Sequence, residues 1–166
     1  VLGGHWGETS IPNQEICTNT IVANNVIRNT GMDFMAATAI DNLGHYGFQV
    51  LHNDVADSQY MGIHQRIYAP NLKAAAGQGG SVISFNRVSL ANVGQRYGVS
   101  DGAYIYTHGI WPNSVIQGND INDLNCPMKD TFGMYFDNNS YGLTAISNVM
   151  RNVQPGRIGY NFVRAL

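Results

Sequence analysis

The chain has 166 residues, of which 44% are hydrophobic and 12% charged, with a net charge of −2. That length suits one domain with a sizeable core, and the charge balance leaves no basic stripe to neutralise a phosphate backbone, which argues against nucleic-acid binding. Charged residues fall well below the ~25% of an average domain, but Asn, Gly, Ser and Thr fill the gap, as in a β-rich, turn-rich fold with an uncharged polar surface.

No apolar run approaches the ~20 residues needed to span a bilayer. The opening VLGGHWGETS has neither an initiator Met nor a basic segment followed by an apolar one, so no signal peptide is read there, and the abrupt start suggests a mature product or a piece of a longer protein. Cys17 and Cys126 are too few and too far apart for a disulfide framework or a metal site, and read as two buried thiols.

From residue 20 onward one phrase recurs in chain order: TIVANNVIRNT, FQVLHNDVADS, SVISFNRVSLA, SVIQGNDINDL and TAISNVMRNVQ. Aligned on Asn25, Asn53, Asn86, Asn119 and Asn148, the intervals are 28, 33, 33 and 29 residues. Three positions before each Asn stands Val22, Val50, Ile83, Ile116 or Ala145. Two positions after it stands Ile27, Val55, Val88, Ile121 or Met150. Two further on come Asn29, Asp57, Asp123 and Asn152, with Leu90 breaking the pattern. Repeats of this length mark a solenoid. Apolar residues at −3 and +2 around a polar one do not follow a 3.6 period, and short β-branched pieces broken by Asn and Gly fit strands with tight bends. Asn at such a bend tolerates the left-handed backbone conformation and can stack into an amide ladder. Each phrase is therefore expected to be one turn of a parallel β-solenoid, burying its aliphatic pair against the next.

Between the phrases lies a second strand signal: AATAI at 36–40, YMGIHQ at 60–65, DGAYIYT at 101–107 and FGMYFD at 132–137. The remaining stretches at 66–80, 92–100 and 124–131 are expected to bulge as loops, where binding usually resides. The tail PGRIGYNFVRAL shows no finished repeat and no polar cap, so the chain is read as one β-helix domain over 1–166 with repeats over 18–153, an incomplete solenoid of about five coils.

The ordered run NNVIRNTG, VLHNDVADSQYMGI, SDGAYIYT, SVIQGNDINDL and FGMYFDNNSYGLTAISNVMRN resembles the right-handed parallel β-helix proteins of carbohydrate metabolism. Within them it most resembles the secreted bacterial enzymes grouped around glycoside hydrolase family 141. The resemblance implies the right hand of the helix, a secreted or cell-surface setting, a polysaccharide or oligosaccharide substrate, no cofactor, and action as a monomer within a longer chain.

Asp101 and Asp137 lie in the two motifs that most resemble that family, one opening a strand and the other closing the equivalent strand one coil later. Paired carboxyls in unlike environments, one protonated and one ionised, are the requirement for glycoside hydrolysis. The plain structural alternative is that Asp101 caps a turn and Asp137 opens an Asx-turn. His64 and His108 follow second-signal strands and can bond sugar hydroxyls or tune a carboxyl; a turn or surface His is the alternative. Tyr104, Tyr106, Tyr135, Phe136, Trp111 and Tyr97 supply aromatic faces for sugar rings, though strand neighbours face opposite sides, so about half must stack inside the coil. Arg66, Arg96 and Lys129 fall in the loops, where they contact an acidic sugar, serve a β-elimination, or are simply solvated. No zinc spacing, calcium-binding acidic cluster, GxSxG elbow or phosphate loop is present in the sequence. The expected function is a glycoside hydrolase with Asp101 and Asp137 as catalytic pair and His64, His108, Tyr106, Tyr104, Arg66 and Lys129 binding substrate. The competing classes are a non-catalytic adhesin or tailspike-like β-helix and a lyase or epimerase on uronic-acid polymers.

Overall fold

The computed structural model describes residues 18–43, 46–66, 79–89, 101–125, 130–154 and 156–161. Within them the chain forms strands β1 (Ile21–Ala23), β2 (Val26–Ile27), β3 (Thr38–Leu43), β4 (Gln49–Leu51), β5 (Asp54–Ala56), β6 (Met61–Arg66), β7 (Val82–Ser84), β8 (Arg87–Ser89), β9 (Gly102–Gln117), β10 (Asp120–Asn125), β11 (Thr131–Ile146), β12 (Val149–Gln154) and β13 (Gly156–Tyr160). All pairings between strands are parallel. They build three faces of five strands each. The first face is β1, β4, β7 and the ends of β9 and β11; the second is β2, β5, β8, β10 and β12; the third is β3, β6, the starts of β9 and β11, and β13. This is a parallel β-helix. Each repeated phrase splits at its Asn into one strand of the first face and one of the second, and the second strand signal supplies the third.

Backbone conformation explains the corners. Asn19, Gly47, Gly80, Asn113 and Gly142 have φ between 56° and 79° and lead into the first face. Asn24, His52, Phe85, Gly118 and Ser147 have φ between 53° and 63° and turn it into the second. Asn29, Asp57, Asp123 and Asn152 have φ between 53° and 60° and leave the second face. Sequence reasoning placed the left-handed residue at the ladder Asn; the structure places it one residue earlier. The reason is a division of labour: the preceding residue makes the turn, which frees the Asn side chain to point inward. Phe85 tolerates this strained position in a stack, with its ring 5.3 Å from that of His52. Its other side lies on Gly118, where a Cβ would come within 2.7 Å of it.

The ladder runs through every coil. Asn25, Asn53, Asn86 and Asn119 each donate from Nδ2 to Oδ1 of the next coil's Asn, at 2.9, 3.0, 3.0 and 2.8 Å. The same oxygens accept the backbone N–H of the preceding Asn at 2.9–3.0 Å. The second Nδ2 proton goes to a carbonyl on the first face, as from Asn86 to Val50 at 2.9 Å. A buried amide that uses every donor and acceptor in this way fixes register, because slipping one residue orphans the whole set.

Apolar columns fill the interior. Val22, Val50, Ile83, Ile116 and Ala145 are partners in register, as are Ile27, Val55, Val88, Ile121 and Met150. Their middle members are at most 2% exposed, whereas Ile27 and Met150 in the outer coils are only partly buried. Ile40, Ile63, Ile105 and Met134 form the matching column of the third face. Replacing Ile121, which is fully buried, with Ala leaves a void between two coils that stiff neighbours cannot close. The expected loss, read by chemical denaturation, is about 2–5 kcal/mol. A loss under about 0.5 kcal/mol, the size typical of surface substitutions, would contradict this packing.

Candidate active site

The third face carries the side chains of the candidate site. Asp41, His64, Tyr106 and Tyr135 stand opposite one another on four successive coils. Two residues further along the same strands stand Leu43, Arg66, His108 and Asp137. Rungs are ~4.8 Å apart, and residues two apart on a strand face the same side. The solenoid thus lays out a small grid that is mostly ionisable groups, set by strand register. A pocket of about 520 Å³ opens on this grid, and Tyr60, Asp101 and the Ala36–Thr38 segment complete its rim.

Asp137 is 3% exposed and forms part of the floor. Its Oδ1 accepts the Asn138 backbone N–H at 2.7 Å, and its Oδ2 accepts the Asn138 side-chain amide at 3.0 Å and the Tyr106 hydroxyl. Asn138, at φ 39°, reaches both oxygens where the pairing of β11 with β9 shifts register after Asp137 and His108. Tyr106 is in turn clamped between rings: His64 meets it edge-on at 5.1 Å and Tyr135 at 4.9 Å. Burial, then the bond to Asp137, push the Tyr106 phenol far above its ordinary value, so it remains a donor at any working pH.

Asp101 sits at φ 62° at the exposed start of β9. Loss of water around it, then the negative charge of Asp137, push its carboxyl up, while a hydrogen bond from Tyr135 pulls it down. Its open side is screened by solvent. Burial pushes Tyr135 up to about 12. Tyr135→Phe removes the hydrogen bond that favours ionised Asp101, so the Asp101 carboxyl should titrate at higher pH than in the parent. NMR titration of labelled Asp carboxyls checks this, and an unchanged or lower value would contradict it.

The cationic side of the pocket is already engaged. Asp41 Oδ1 lies 3.1 Å from His64 Nδ1, and Arg66 Nη2 donates to Asp41 Oδ2 at 3.2 Å. Burial alone would raise Asp41, but the His64 hydrogen bond and charge and the Arg66 guanidinium outweigh it, and the net direction is down. His108 is pushed down, chiefly by burial, with His64 and Arg66 adding to it against Asp137. At neutral pH its imidazole is therefore uncharged and can accept as well as donate.

Six of the residues singled out in the sequence line this pocket: Asp101, Asp137, His64, His108, Tyr106 and Arg66. His64 does so as a supporting wall, since its residue is 6% exposed and its Nε2 is closed off from solvent with no hydrogen-bond partner among the described residues. Tyr104 is a correction. It is fully buried, packs in the main core with its neighbour Ile105, and donates its hydroxyl to the Asn122 carbonyl at 2.9 Å. Trp111 and Phe136 are likewise interior, and the Trp111 indole bonds the His108 carbonyl at 2.9 Å. Lys129, Arg96, Tyr97, Cys17, Cys126 and Leu90 lie outside the described residues. Sequence reasoning missed Asp41, Tyr60 and Asn138. Asp41 had a signal: aligning Ile40 with Ile63 and reading one residue further sets it opposite His64. Among the described residues no group of three or more His, Cys, Asp or Glu is arranged to hold a metal ion.

Compared with known proteins, the chain matches no family model, no curated protein and no solved structure.

Proposed function

We propose that this protein acts on glycans as a glycoside hydrolase, with Asp101 as general acid and Asp137 as nucleophile or as base for water. The observation that carries the reading is one pocket holding two carboxyl groups in unlike settings. Asp101 is pushed toward its protonated form at the rim, while Asp137 is fixed on the floor by three donated hydrogen bonds. A carboxyl pushed toward its protonated form, beside a second one held in place by donated hydrogen bonds, is what protonating a leaving oxygen and attacking an anomeric carbon require.

Charge favours an uncharged sugar. Among the described lining residues, the carboxylates of Asp41 and Asp137 face the single guanidinium of Arg66, already paired with Asp41, and Asp101 is the protonated acid. A uronate would meet a net negative site, which weakens support for the lyase or epimerase alternative. A secreted or cell-surface setting belongs to the same proposal, as does work within a longer chain. The test is incubation with neutral oligosaccharides and with uronate polymers. New reducing ends from neutral substrates, lost in Asp137→Asn, support hydrolysis. Unsaturated products from uronates would replace it with a lyase, and inertness toward both would leave a β-helical scaffold.

A further inference from the structure

The segment that leads into β3 is longer than its counterpart that leads into β6. Where the chain leaves the second face of the next coil at Asp57 it needs only Ser58–Tyr60 to reach β6, but after Asn29 it spends residues 30–37 before β3 begins. This excursion is pinned at both ends. Gly31 turns at φ 83°, and a Cβ there would press on Gln59 at 3.1 Å. The Gln59 backbone N–H donates to the Thr30 carbonyl at 3.0 Å, and its side-chain amide approaches Met32 Sδ at 3.9 Å. The Ala37 N–H donates to the Phe34 carbonyl at 2.9 Å, closing a tight turn over Phe34–Ala37.

The side chains on that turn sort by size. Ala36 and Ala37 line the pocket, where their small size leaves it open. Phe34 is 81% exposed and Met35 44%, an apolar pair on a segment that a soluble surface would normally make polar. A turn of this kind keeps its first and last Cα within about 7 Å, so the Phe34 backbone lies close to Ala37, which lines the pocket. The backbone beneath its ring is held by the Ala37 N–H bond to the Phe34 carbonyl.

We propose that Phe34, flanked by Met35, is a second sugar-binding subsite that stacks on the C–H face of the sugar unit next to the one in the pocket. The inference rests on the hydrolase reading of the pocket and names its preferred substrate as an oligosaccharide or polymer in place of a single glycoside. An aromatic face offers binding without charge, which matches a neutral glycan, and its continuity with the Ala36–Ala37 wall fixes where the next unit lies.

The experiment compares the parent, Phe34→Ala and Phe34→Trp on a single-sugar aryl glycoside and on neutral oligosaccharides of increasing length, with binding measured in parallel by calorimetry on the Asp137→Asn background. Phe34→Ala should raise KM and weaken binding about tenfold on the longer substrates, with a far smaller change on the aryl glycoside, and Phe34→Trp should restore the length preference. Parent-like values for Phe34→Ala on long substrates overturn the subsite while leaving the hydrolase reading intact. Equal losses on short and long substrates also overturn it, since they show damage to the pocket itself. Failure of the parent to bind or cut any neutral oligosaccharide overturns both.

Discussion

Asp137→Asn in the full chain should fold as the parent does and lose roughly 10²–10⁴-fold in kcat/KM on neutral glycans, the usual worth of a positioned catalytic carboxyl. The fold should survive because Asn is nearly the same size and can keep its oxygen toward the Asn138 N–H, while the Tyr106 hydroxyl rotates to accept from the new amide and the Asn138 side-chain amide flips to present its oxygen. Chemistry should fail because an amide neither attacks an anomeric carbon nor takes a proton from water. Asp101→Asn should be told apart by its leaving-group dependence. Asn is comfortable at φ 62°, but it cannot protonate a departing sugar oxygen. Activity on poor leaving groups should drop while an aryl glycoside with an acidic leaving group retains far more of it. The two variants differ in pH profile as well. In the parent, activity should fall as pH rises through the raised Asp101 value, because only the protonated form donates. Asp101→Asn should lose that alkaline limb. Full activity in either variant, with a parent-like circular dichroism spectrum, would dismiss the catalytic pair.

Asn86→Ala should be among the most damaging single changes to stability, roughly 3–5 kcal/mol by denaturation. Asn86 is 1% exposed and accepts both the backbone N–H and the side-chain amide of Asn53, at 2.9 and 3.0 Å. Truncation strands both donors in the dry interior and removes the 2.9 Å bond to the Val50 carbonyl. Each buried group left unpaired costs about 1–3 kcal/mol, and the missing amide leaves a void as well. Asn148→Ala is the comparison. It sits half-buried in an outer coil, where water can reach Asn119's freed donors, so the loss should be clearly smaller. Equal losses at the two positions would mean that the ladder is decoration on a core held by its aliphatics alone.

How much of this the sequence disclosed follows from which forces leave a period. The ladder and the aliphatic columns recur at every coil because each must meet its own image, so Asn53, Val55, Val88 and Ile121 announced themselves. The left-handed corner did not, because Asn24 and Gly118 fit it by chemistry but His52 and Phe85 do not. The pocket was half legible. Asp101 and Asp137 lie in distinctive motifs, whereas Asp41 lies in a plain TAIDNL strand and acquires meaning only through its register with His64. Tyr104 misled for the opposite reason. It and Tyr106 are two apart and should share a side, yet Tyr104 and Ile105 both enter the core while Tyr106 joins the pocket cluster. Strict alternation lapses there, and no local pattern in SDGAYIYT marks it.

The Asn ladder also has a sense of direction. Every side-chain amide donates toward the coil that follows and accepts from the coil before, so the row of dipoles adds up along the axis like bar magnets laid end to end. Such chains polarise one another and strengthen as they lengthen. Their two ends are chemically opposite: any strand laid beyond Asn148 must bring an oxygen, and any strand laid before Asn25 must bring an N–H. A two-fold arrangement that apposes like ends would set donor against donor or acceptor against acceptor. Continuing this ladder, by further chain or by another molecule, therefore requires a head-to-tail, polar order, the symmetry of a filament and not of a closed pair.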